Sequence, residues 1–159
     1  MSGAQWILRP VRPDDAPAVR RMREEAGWDL DKVPAWIAAS LSGERPSWVA
    51  ELDGEAVGMV SIEWTDDDPE VADGKDVATV ASLSVLASAG RLGIGRALTV
   101  LAEEQARAHG VRVLTLNTRP TNRVALALYE GLGYRRWKED DRSWGRAVFL
   151  RKSLDDVTS

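Results

Sequence analysis

Three observations predict a mixed α/β (α+β) fold with helices flanking one central, mostly antiparallel sheet. Strand-like and helix-like segments follow the order β-α-α-β-β-β-α-β-α-β-β, in which strands that adjoin without a helix pair antiparallel. An Asp53-Gly54 hairpin signal joins two apolar runs. A glycine-rich turn, Gly90-Arg91-Leu92-Gly93-Ile94-Gly95-Arg96, separates a strand from a helix. That helix would make the crossover between two parallel strands. The 159 residues fit a single domain over 1–159.

Residues 6–11 read as the first strand. Pro13-Asp14-Asp15 starts a helix, with Val19, Met22 and Ala26 at helical spacing and Gly27 as its stop. Residues 29–43 form a second helix with Trp36, Ile37 and Leu41 on one side. Residues 47–52 and 56–64 are the hairpin strands. Residues 65–76 are an acidic, turn-rich loop, too polar for a core element.

Residues 77–86 are the next strand. Ile94, Leu98, Leu101 and Gln105 mark the helix after the glycine turn, which Gly110 caps. Residues 111–118 are a strand. Thr121 or Asn122 caps a helix running to about Leu132, with Gly133 just past its end. Residues 134–139 and 146–154 close the fold as an antiparallel pair, with Ser143-Trp144-Gly145 in the connection.

The glycine turn carries the chemistry. A helix N-terminus presents unpaired N–H groups and the positive end of the dipole, a seat for phosphate or pyrophosphate. Gly93 and Gly95 let the backbone approach the anion, and Arg91 and Arg96 add charged donors. A P-loop needs Lys and then Ser or Thr after its last glycine, whereas Arg96 and Ala97 follow Gly95. A dinucleotide fingerprint needs its glycines after an early strand and a third glycine, whereas these come past mid-chain and no third follows Gly95 at the required spacing.

A second block, Asn122, Ala125, Tyr129, Gly133 and Tyr134, follows the later strand. With it the chain resembles the GCN5-related N-acetyltransferase (GNAT) family. That family's coenzyme motif, Q/R-x-x-G-x-G/A, follows a strand ending L-x-V. Leu83-Ser84-Val85 matches the strand end, and Gly93-Ile94-Gly95 the glycines. The second block matches N-x-x-A-x-x-x-Y-x-x-x-G-F/Y. One departure stands out: the leading Gln or Arg falls on Gly90, and the arginine comes one place later, at Arg91.

The resemblance implies a single GNAT-like domain that uses acetyl-CoA as co-substrate. The strands bearing Leu83-Val85 and Leu114-Leu116 would splay apart, with pantetheine pairing to the backbone of Leu83 and Val85. The pyrophosphate would lie on the amides of Leu92, Gly93, Ile94, Gly95 and Arg96. Asn122 and Ala125 belong to the same coenzyme set. A primary amine would attack the thioester directly, an N–H near Val85 would hold the oxyanion, and Tyr129 would protonate the departing thiolate. A phenol near its ordinary pKa of about 10 suits that exchange. Glu63 and Asp76 are the carboxylates flanking the region, and Asn117 stands where some members carry an acid. No base is assigned. Trp28, Trp36 and Trp64 adjoin segments that line the acceptor side in that family. Their faces, with the acids of residues 66–76, suit a cationic amine. His109, beside Gly110 at a helix end, reads as a cap or surface residue.

Composition narrows the classes. There is no Cys and one His, which excludes thiol catalysis and a multi-histidine zinc site, so no metal is expected. A net charge of −4 argues against nucleic acid. No apolar run approaches a membrane span, so a cytoplasmic enzyme is expected. A small-molecule amine is the expected acceptor, with a protein N-terminus or lysine as the alternative. Another class is a non-catalytic acyl-CoA sensor. A homodimer is compatible with all of these.

Overall fold

The computed structural model describes residues 5–155. The element order is the expected one: β1 (Trp6–Pro10), α1 (Ala16–Ala26), α2 (Val33–Ser42), β2 (Ser47–Leu52), β3 (Glu55–Glu63), β4 (Val77–Val85), α3 (Ile94–Ala108), β5 (Val113–Thr118), α4 (Arg123–Gly131), β6 (Arg135–Arg142) and β7 (Gly145–Ser153). Seven strands form one sheet in the order β1-β2-β3-β4-β5-β7-β6. The β4–β5 pair is parallel, and β1–β2, β2–β3, β5–β7 and β6–β7 are antiparallel. The chain divides into two compact units that share β4 and α3: residues 1–63 with 81–102, and residues 64–80 with 103–159.

In the first unit, Asp53 (φ 52°) and Gly54 (φ 84°) are both left-handed, as the two-residue turn between β2 and β3 requires. Residues 13–15 form a 3-10 turn, so α1 begins later than its acidic start signal suggests. The reason is Asp15. Its carboxylate turns inward to accept from the Arg12 amide at 2.7 Å and from Arg9 at 2.8 and 2.9 Å. Burial pushes that carboxyl up, but these hydrogen bonds outweigh it and hold it below its ordinary value. α1 packs on α2 and on β3.

Gly58 of β3 governs how α3 lies in this unit. A Cβ at that position would meet Ile94 Cγ2 at 3.0 Å and Leu98 Cδ1 at 3.2 Å. Ile94 and Leu98 are fully buried, so the start of α3 is pressed onto the strand where a side chain is missing.

In the second unit, β5, β7 and β6 lie side by side, and β6–β7 is a hairpin longer than the sequence suggests. The acidic loop departs from expectation in two ways. Val71 and Ala72 are 1% exposed, and Val71 packs with Ala147, Phe149 and Trp137. The Val71 carbonyl accepts from Thr115 Oγ1 at 2.7 Å. The loop is therefore a core element with a polar exterior. Four of its six carboxylates are engaged: Asp66 pairs with Arg142, Asp68 and Glu70 pair with Lys138, and Asp73 caps the amides of Lys75, Asp76 and Val77. These groups anchor the loop and are not loose charges for drawing in a cationic substrate.

Gly58→Val should destabilise the fold by about 1–3 kcal/mol, because Ile94 is β-branched and has little room to give. A shifted urea midpoint at unchanged slope checks this. Lys138 holds the Asp68 carboxyl below its ordinary value. A lowered folded-state pKa contributes stability above the unfolded value, about 4, and that stability is lost as pH falls through the folded value. Asp68→Asn should therefore lower the midpoint at pH 7, and the gap to wild type should close on acidification below about 4.

Candidate active site

In the first unit, the site begins on the C-terminal half of β4. Residues 81–85 are all partly exposed, whereas Ala78, Thr79 and Val80 before them are buried. Ser82 has φ 54°, an unusual value for a non-glycine residue inside a strand. Such a residue costs on the order of 1–3 kcal/mol and persists only where its surroundings impose it. Trp36 of α2 is 2% exposed and donates from Nε1 to Ser82 Oγ at 3.3 Å. After β4, the Leu86 amide donates to the Val57 carbonyl at 2.8 Å, and the Ala87 amide donates to Glu25 at 2.7 Å.

The glycine turn follows. Gly90 is extended, at φ −66° and ψ 161°, a conformation open to any residue. Arg91 has φ 68° and Gly93 φ 81°. The left-handed place thus falls on an arginine, and the preceding glycine occupies an ordinary one. This is the backbone counterpart of the one-residue displacement seen in the sequence. Residues 90–93 and Arg96 are exposed, while Ile94 is buried and Gly95 half-buried. The Ala97 amide donates to the Gly93 carbonyl at 3.0 Å. The amides ahead of it in the first turn project from the helix end, as helix geometry demands. Leu83, Ser84, Val85 and the turn from Gly90 to Arg96 thus lie in one compact unit. Nothing lies within 4 Å of a Cβ built on Gly93. An exposed, open turn with outward amides fits a phosphate-bearing group.

In the second unit, Asn117 is half-buried on β5 opposite Phe149 of β7. Asn122 caps α4, accepting from the Ala125 amide at 3.1 Å and donating to Thr118 Oγ1 at 3.1 Å. Both functional groups of its amide thus serve the start of the helix. Tyr129 on α4 is 6% exposed, with its ring edge-on to Tyr134 at 6.3 Å. Burial pushes its hydroxyl up to about 12. Tyr134 differs, because its hydroxyl donates to Glu103 at 2.9 Å, and Glu103 also accepts from Lys152 at 3.0 Å.

The expected acceptor residues part company. Trp36 is buried and serves as a strut to Ser82. Trp28 is half-buried, with the Arg23 guanidinium 5.6 Å from its ring centroid. Glu63 is paired with Arg45 at the end of β3. Trp64 lies past β3 in the second unit, stacked on His109 at 4.2 Å. His109 is exposed at the end of α3, as a surface residue should be. Sequence reasoning missed Ser82 and Arg23. Ser82 has no signal, because its φ is a tertiary property. Arg23 has one, since it stands four residues after Val19 on the face that α1 buries.

The description "Acetyltransferase (GNAT) family" matches residues 11–134. The mycothiol acetyltransferase of Thermomonospora curvata is 32% identical over 117 residues, which is 74% of this chain and 37% of that protein. The chain spans between about a third and a half of the mycothiol acetyltransferases it is similar to. The uncharacterized N-acetyltransferase YjgM of Escherichia coli K12 is 32% identical over 140 residues, 80% of this chain and 81% of that protein. Among solved structures, yncA of Salmonella typhimurium with its cofactor acetyl-CoA has a TM-score of 0.80 at 19% identity, covering 98% of this chain and 97% of that one.

Proposed function

The chain belongs to the acetyltransferase (GNAT) family, and we propose that it moves the acetyl group of acetyl-CoA to the primary amine of a small molecule by direct attack. One observation carries this reading: a half-exposed strand end runs into an exposed glycine turn whose amides open α3. Such a surface offers strand pairing to pantetheine and helix-end amides to pyrophosphate. A small acceptor is favoured by the net charge of −4 and by relatives named for mycothiol, a small molecule.

Acetyl-CoA supplies the activated thioester, and the chain supplies position and donors. Backbone groups of Leu83 and Val85 would orient the pantetheine arm. The amides from Leu92 to Arg96 would hold the pyrophosphate, assisted by Arg91 and Arg96. The Val85 N–H would donate to the developing oxyanion. Asn122 is committed to capping, so its part would be to aim α4. Tyr129 fits the donor role in an altered form. Its hydroxyl, pushed up to about 12, stays protonated across the working pH range. An ordinary thiol ionises near 8.5, so full transfer from the phenol to a thiolate would run uphill by about 5 kcal/mol. Tyr129 would therefore stabilise the thiolate by hydrogen bonding; the proton shed by the attacking nitrogen would pass to solvent, and solvent would protonate the thiolate.

Two experiments test the reading. Calorimetric titration with acetyl-CoA should show saturable binding. Gly93→Asp should abolish it, and Gly93→Ala, which bears the same backbone strain, should only weaken it. Equal binding by folded Gly93→Asp would remove the turn from the site. Tyr129→Phe should lower kcat by about 10- to 100-fold with acetyl-CoA affinity kept. For wild type, kcat should hold through pH 10, where an ordinary phenol would ionise. A wild-type kcat in Tyr129→Phe would leave the tyrosine as a packing residue.

A further inference from the structure

Helix α1 buries Val19, Met22 and Arg23. Two of these are apolar, and the third is a guanidinium left with 8% exposure. A charge so far from water needs compensation. Arg23 Nε donates to the Asp29 carbonyl at 2.8 Å, and the cation lies over Trp28. Arg23 forms no ion pair among the described residues. The Asp29 carboxylate attracts it, but one oxygen of that group already accepts from the Asp31 amide at 2.9 Å. Arg45 repels it. Every fully buried side-chain nitrogen or oxygen among the described residues has a partner. The terminal nitrogens of Arg23 make no hydrogen bond among those residues, so they keep some contact with solvent. They carry four N–H donors on a side chain that is otherwise largely buried.

The place is informative. Glu25, which leaves α1 on a different side from Arg23, grips the Ala87 amide just past Val85. Trp36 of the neighbouring helix reaches Ser82 on the same strand. The end of α1 and the middle of α2 are thereby tied to the strand end that carries Leu83 and Val85. An acceptor amine must come to that strand end to meet the thioester.

We propose that the Arg23 guanidinium is the seat of a carboxylate on the acceptor, so that the substrate class is an amine that also carries a carboxylate. The inference rests on the transferase reading above. The two-pronged edge of a guanidinium matches the two oxygens of a carboxylate, and the indole of Trp28 backs the cation. A monoanion would supply the ion pair that Arg23 lacks among the described residues, whereas Arg45 already pairs with Glu63. A polycationic acceptor would meet Arg23 with repulsion, and among the acids of residues 66–76 that seemed to favour one, Asp66, Asp68, Glu70 and Asp73 are engaged with Arg142, Lys138 and backbone amides.

The test compares amino acids with their carboxamides and with the decarboxylated amines of the same skeleton, using free-thiol release. Wild type should prefer the acid to the amide by about 10-fold or more. Arg23→Met, which keeps the packing of the stem, should cut kcat/KM for the acid by about 10- to 100-fold through KM. The amide should change by less than about 3-fold. Arg23→Lys, with charge but no fork, should fall between. Equal use of acid and amide by wild type would overturn the proposal. So would parallel loss of both in a folded Arg23→Met, which a clamp on the Asp29 carbonyl alone would produce. A second readout needs no turnover: the Arg23 Nε–H resonance should move on titration with an N-acetyl amino acid and stay still with its carboxamide. If no amine releases thiol while that resonance moves with the acid alone, the transferase reading fails and the anion seat stands. A resonance silent to both, or moved equally by both, overturns the seat.

Discussion

The close approach of α3 to β3 at Gly58 is the constraint on which the candidate site depends. Ile94 and Leu98 lie where a side chain on β3 would otherwise project. Because Ile94 is the first residue of α3, the same contact that seals the core also fixes where the helix begins. The turn just before it, from Gly90 to Gly93, is left on the surface with its amides outward. Core packing on one side of Ile94 and an anion-ready helix end on the other are one event seen from two faces.

The end of β4 shows how strain is held. A left-handed serine inside a strand is unfavourable by itself. Here a buried tryptophan from α2 hydrogen-bonds to it, the Leu86 amide returns to the Val57 carbonyl, and Glu25 satisfies the Ala87 amide. Interactions at the irregular residue and just past it hold the strand end while residues 81–85 remain partly exposed. Partly exposed backbone in an ordered strand can take a ligand as an added partner at low entropic cost.

Charge is distributed unevenly between structure and chemistry. Asp66, Asp68 and Asp73, from the acidic stretch that looks most functional in the sequence, are tied into ion pairs and turn caps. Arg23 and Ser82, which the sequence reading passed over, carry an unpaired guanidinium end and a left-handed backbone respectively. The two tyrosines divide in the same way. Tyr134 is locked to Glu103 and Lys152, whereas Tyr129 is buried with its hydroxyl pushed up and is tied to no acid.

The sequence by itself determined the element order, the parallel crossover at α3, the Asp53-Gly54 hairpin, a cap at Thr121 or Asn122 and the family. Each is written in local chemistry, as glycines needing left-handed backbone, caps preceding helices and apolar periods. Tertiary structure decided what each polar side chain is for. That Trp36 and Trp64 lie in different compact units, that Val71 is core, and that Arg23 is buried without an ion pair among the described residues follow only once the chain is folded. A side chain's role follows from its desolvation and its partners, and neither exists until distant segments meet.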